Sequence, residues 1–108
     1  MTANYVEMAT SVASVVTDAI DVTVPTIADA EIDEVAVDVS AASTFQPKVG
    51  DAVVAVPLAA LPTSAILCGA YVSDTDEVTV SFAAKEGGTG VTGAAVSFKF
   101  LYLDLTKP

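Results

Sequence analysis

"GDAVVAVPLAALPTSAILCGAYVSD" spans Gly50 to Asp74, and the 22 residues 52–73 carry no charge. Such a run is a membrane helix, the core of a soluble fold or a binding surface, and the fold class turns on which. A spanning helix needs about 20 mostly apolar residues, so length alone permits one. Pro57 and Pro62 stand inside the run, however, and each removes a helical hydrogen bond. The flanks are Asp51 and Asp74, with only Lys48 nearby, so no positive-inside signal is present. Split at its prolines, the run becomes two short β-rich segments, Ala52–Val56 and Ile66–Val72. A proline-bounded connection, Pro57–Ser64, joins them. Both segments are apolar at alternate and at intervening positions, which predicts strands buried on both faces.

Outward from this run the period-two pattern continues. Upstream, "EVAVDV" sets Val35, Val37 and Val39 on one face and Glu34, Ala36 and Asp38 on the other. "AIDVTVP" does the same with Ile20, Val22 and Val24 before Pro25 ends it. Downstream, "EVTVSF" alternates Val78, Val80 and Phe82 with Glu77, Thr79 and Ser81. In "VSFKFLYLDL", Val96, Phe98, Phe100 and Tyr102 share one face. Leu101, Leu103 and Leu105 line the other, so this strand is apolar on both sides at its end. Acidic or glycine-bearing turns separate these segments, and no amphipathic helix of useful length appears. Six to seven short strands at intervals of about ten to fifteen residues predict an all-β antiparallel β-sandwich. Val35, Val37, Val78, Val80, Phe82, Phe98 and Phe100 form its expected core. Residues 1–17 are weakly patterned and are expected to form an N-terminal arm, with a strand near Ser11–Val16. The sandwich domain then occupies 18–108.

Composition narrows the function classes. The chain has 108 residues, enough for one domain with an ordinary core. Its apolar content of 53% is mostly Ala and Val, with 6% aromatics and no Trp, so the core is built from many small pieces. Fourteen acids face four lysines, giving a net charge of −10. That charge opposes binding to nucleic acid and to anionic membrane surfaces. No basic residue precedes Lys48, and Glu7 interrupts the first apolar stretch, so no cleaved leader is expected. With no His and no Arg, the chain lacks an imidazole base and a guanidinium fork, and no enzyme is expected. Cys68, the single cysteine, reads as a small buried hydrophobe.

Three further features invite a ligand. The loop "AAKEGGTGVTGAA" holds Gly87, Gly88, Gly90 and Gly93, but no Lys-Ser or Lys-Thr follows and the next element is a strand. It reads as a flexible structural loop, not a phosphate cradle. The acidic clusters Asp29, Glu31, Asp33, Glu34 and Asp74, Asp76, Glu77 lack the spacing of a calcium loop and read as solvated turns. No cofactor and no metal are expected. The apolar surplus on Leu101 and Leu103 marks a subunit interface, with Leu58 and Leu61 of the connection as further candidates.

Several segments carry a family likeness: Gly50-Asp51, the strand Val53–Val56, the loop Pro57–Leu61, the small-residue strand Gly69–Ser73, then Asp76, Val78, Val80 and Phe82. Together with "DVTVPTIADAE" upstream, this pattern resembles small structural proteins of tailed-phage virions, of the capsid-decoration and head-fibre type. It covers roughly Ile20–Lys85. "FAAKEGG" departs from it where an Asn often follows the last Phe. The resemblance implies a virion structural protein without an active site. Acidity disfavours the genome side of a shell, where packed phosphate would repel it. The expected place is therefore the outer capsid surface, as a decoration or cement protein that binds the major capsid protein and stabilises the head by bridging its subunits. Self-association is also expected, a trimer by analogy with capsid symmetry. A head-fibre or tail module is the alternative, and a β-sandwich adhesion or ligand-binding module is a second.

Overall fold

The computed structural model describes residues 13–104. Among them seven strands and no helix make two antiparallel sheets. The strands are β1 (Ala13–Val16), β2 (Ile20–Val24), β3 (Ile32–Asp38), β4 (Ala52–Pro57), β5 (Ala65–Asp74), β6 (Glu77–Ala84) and β7 (Ala94–Asp104). In the first sheet β7 is central. β1 and β2 follow one another along one edge of it, opposite Leu101–Asp104 and Ala94–Phe98, while β4 takes the other edge. In the second sheet β6 lies between β3 and β5. β4 and β5 lie against each other on one flank of the molecule, and β2 and β3 on the opposite flank.

The period-two pattern places the core where the sequence puts it. Val37, Val78, Val80, Phe82, Phe98 and Phe100 are buried, and Val35 packs against them half-buried. The sheets face each other: Phe82 of β6 meets Phe98 of β7 edge to face, with ring centroids 6.2 Å apart. Phe100 stacks on Phe98 along the same strand.

The two segments of the uncharged run are strands, but they are not buried on both faces. Val53 and Ala55 of β4 and Leu67 and Ala70 of β5 pack on the core, while Val54, Val56, Ile66 and Tyr71 are exposed. The reason is the number of layers. Burial of both faces needs a third layer over the outside of a sheet, and the described residues hold no helix to supply it. Cys68 departs from expectation too, since it is exposed. The register between β5 and β6 shifts between Leu67 and Gly69, which leaves Cys68 outside the regular pairing at a bulge.

The strand expected near Ser11–Val16 appears as Ala13–Val16; the rest of the expected arm lies outside the described residues. β1 is part of the first sheet, and Thr17 is buried immediately after it. The Phe100 N–H donates to Thr17 Oγ1 at 3.0 Å, and Thr17 N–H donates to the Phe100 carbonyl at 3.0 Å. One threonine thus carries the backbone pairing across the break between β1 and β2. Residues 105–108, at the end of the expected domain, lie outside the described residues, Leu105 among them.

The glycine-rich loop is pinned at its centre. Ile27 and Val91 exchange backbone hydrogen bonds of 3.0 and 2.8 Å, and both side chains are buried. Gly90 has φ of 82°, and a Cβ there would sit 2.6 Å from the Ile27 carbonyl oxygen. Only glycine permits that approach.

The loop from Ser40 to Gly50 closes one end of the sandwich over Tyr102. Phe45 packs on the Tyr102 ring at 5.4 Å, and the turn of Asp76 holds the loop through Gln46 Nε2 (3.1 Å) and the Pro47 carbonyl (3.1 Å). The Tyr102 hydroxyl is buried and, among the described residues, has no hydrogen-bond partner. Its pKa is pushed up to about 12, by burial first and by the Asp76 carboxylate second. The folded state therefore holds this proton more tightly than the unfolded chain, whose value is 10.0. Between these values the unfolded chain ionises first, so stability falls as pH rises through that window. Tyr102→Phe is expected to raise stability by about 1 kcal/mol, because it deletes an unpaired buried hydroxyl. It should also remove part of the alkaline loss. Urea midpoints of the two proteins at about pH 8 and about pH 11 check both statements, the gap between them widening at the higher pH.

Candidate interaction surface

Neither acidic cluster converges on a point. Asp29 Oδ1 accepts from the Gly88 N–H at 3.1 Å, Asp33 Oδ1 from the N–H of Glu34 and Glu34 Oε2 from Ser81 Oγ. Asp74 Oδ1 accepts from the Thr75 N–H, Asp76 Oδ2 from Gln46 and Glu77 Oε1 from Ser73 Oγ. Six of the seven carboxylates are thus turned to separate donors, Glu31 being the exception. Among the described residues no group of three acids, histidines or cysteines is placed to hold a metal ion. An open cleft of about 340 Å3 lies between Asp38, Ser40, Thr75, Asp76 and Glu77. The Ser40 backbone N–H, then its hydroxyl, holds the Asp38 carboxyl below its usual pKa. The cleft is wide, acidic and ringed by groups that already have partners.

The apolar surface is the more distinctive feature. On the outer face of the first sheet, cross-strand register sets Val16, Leu101 and Val54 in one row. Leu103 lies in the next row opposite Ala52, and Val56 faces Lys99. Leu101 and Leu103 are half-buried there, while Val16 is 60% and Val54 51% exposed. Leu58 is exposed just past β4, where its N–H bonds the Ser97 carbonyl. Leu61 is different: it turns inward and packs on the core. Of the four leucines marked from sequence, Leu101 and Leu103 thus lie on an outer face, Leu58 is exposed beyond the end of β4, and Leu61 helps close the interior.

The second sheet has an apolar outer row of its own, which the sequence reading did not single out. Ile32, Ala83 and Ile66 stand side by side across β3, β6 and β5, with Ile32 70% exposed. Tyr71, opposite Thr79 two rows away, is half exposed. No family model, curated protein or solved structure matches this chain.

Charge is partitioned across the sandwich. The β2–β3 flank and its connection carry Asp21, Asp29, Glu31, Asp33, Glu34 and Asp38. On the opposite flank β4, the connection and β5 carry no charge until Asp74. The acids thus gather on the β2–β3 flank, where Ile32 stands among them, and the β4–β5 flank is left uncharged up to Asp74. The sequence signal was present in part, as the uncharged run itself. What hid its meaning is that β4 and β5 are apolar at both parities, so periodicity could not tell their inner side from their outer one.

Proposed function

We propose that this chain is a structural protein of a virion, a cement protein that binds the outer surface of a capsid and bridges its subunits. The observation that supports this best is the exposure of apolar rows on the outer faces of both sheets of one small sandwich. A bridging protein must hold at least two neighbours, and two outward faces provide two contacts. The resemblance of roughly Ile20–Lys85 to tailed-phage structural proteins supports a phage shell as the partner in this reading. The net charge of −10 suits the outside of a genome-filled particle. In this reading the major capsid protein and further copies of the chain are the partners, and the contacts do no chemistry.

The experiment uses purified particles and shells stripped of the protein. The full chain is expected to rebind, to reach the same repeated sites on each symmetric shell, and to raise the temperature at which shells rupture. Hundreds of copies per particle fit the cement reading. A few tens or fewer would move the assignment to a fibre or tail part. Absence from particles, with no rebinding and no gain in heat resistance, would overturn the virion reading.

A further inference from the structure

The uncharged run comes out of the fold as two neighbouring edge strands. Among the described residues β4 pairs only with β7, and β5 only with β6, so each leaves one backbone edge without a partner strand there. Open edges of this kind accept another strand unless they are guarded by charge, proline or a bulge. The β3 edge is guarded by Asp33, Glu34 and Asp38. The β4–β5 flank is guarded more lightly: no charged residue lies between Ala52 and Ser73, while Pro57 ends β4, a bulge at Cys68 interrupts β5, and Asp74 closes β5. Ile66, Cys68 and Tyr71 are exposed on β5 of the second sheet, and across the flank Val54 and Val56 of β4 are exposed on the outer side of the first sheet.

We propose that a second copy of this chain docks on the β4–β5 flank, uncharged flank against uncharged flank, in an isologous pair. The charge partition selects this occupant. Two chains of net charge −10 repel wherever their acids meet, and this flank is a place where they can touch without acids between them. A basic partner would instead be drawn to the opposite flank, with its six carboxylates. In a symmetric pair those acidic flanks point away from each other. The inference rests on the reading of the chain as an assembly protein and names the surface on which copies meet.

The test uses the purified full chain with no shell present, so its failure leaves shell binding to be judged separately. Sedimentation velocity is run from micromolar to millimolar protein, in low and high salt. Cys68, exposed on the same flank, is labelled with a maleimide in parallel. The mass is expected to double with concentration. The labelling rate should fall about fivefold or more once the pair dominates, following mass action. Salt should strengthen the pair, because it screens the repulsion between acidic chains. Ile66→Lys should abolish both effects, and Ile32→Lys, on the β3 edge of the same sheet, should leave them. A chain that stays monomeric at every concentration and salt, with Cys68 equally reactive throughout, overturns the proposal. So does a pair that forms while Cys68 remains fully reactive, since the contact then lies elsewhere, as on the Leu101 face. The Cys68 measurement needs no variant, so it decides even if Ile66→Lys does not fold.

Discussion

Val80→Asp is expected to abolish the fold. Val80 is fully buried on β6, the middle strand of its sheet, directly between Val35 of β3 and Ala70 of β5. Its neighbours are apolar on both sides, and Phe82 and Val78 flank it along the strand. A carboxylate there has no cation or donor to pair with. It must stay charged without water or take up a proton, and either choice costs several kcal/mol. Domains of this size are stable by only about 5–15 kcal/mol, and the lost valine packing adds to the loss. The measurement is a urea titration followed by circular dichroism. The Asp variant should show no cooperative transition, Val80→Ala should fold with a loss of about 2 kcal/mol, and Val54→Asp should fold nearly unchanged. The contrast between Val80 and Val54 tests the sandwich itself, since both are strand valines and only the layer they face differs. A folded Val80→Asp protein would mean that β6 is not central.

Deletion of residues 1–17 is expected to destabilise the sandwich severely by comparison with deletion of 1–12. The longer cut strips β1 from the edge of β7 and removes Val15 from its packing on the core. It also removes Thr17, leaving the buried N–H of Phe100 without its acceptor. An orphaned buried donor costs about 1–3 kcal/mol, and burial of one valine contributes about 1.5 kcal/mol or more. Together these should lower the melting temperature by more than about 10 °C. The bared edge of β7 would also invite aggregation. Thermal melts of the three lengths check this. Equal melting temperatures for the 1–17 deletion and the full chain would show that β1 adds nothing to stability. The result matters for function, because a loss of shell binding in the longer deletion would report a damaged sandwich. The shorter deletion is the one that asks whether the first residues touch a neighbour.

The sequence by itself determined the all-β class and most of the core. Alternation in "EVAVDV", "EVTVSF" and "VSFKFLYLDL" is enough, because a side chain in a strand points to one of two sides and polar partners mark the wet one. Val78, Val80, Phe82, Phe98 and Phe100 follow from that rule alone. The rule fails where both parities are apolar. In Ala52–Val56 and Ile66–Val72 no charged or strongly polar residue marks the outside, so both read as buried on both faces when one side of each strand faces solvent. The same blindness left Cys68 inside and grouped Leu61 with Leu58. Only the tertiary structure decided these points. It limits the molecule to two layers, puts β4 and β5 on the edges of different sheets and brings those edges together on one flank. It also gathers carboxylates from Asp21 to Asp38 on the opposite side. Which face of an apolar strand is wet depends on what the rest of the chain stacks against it, and that is a property of the packing, not of the strand.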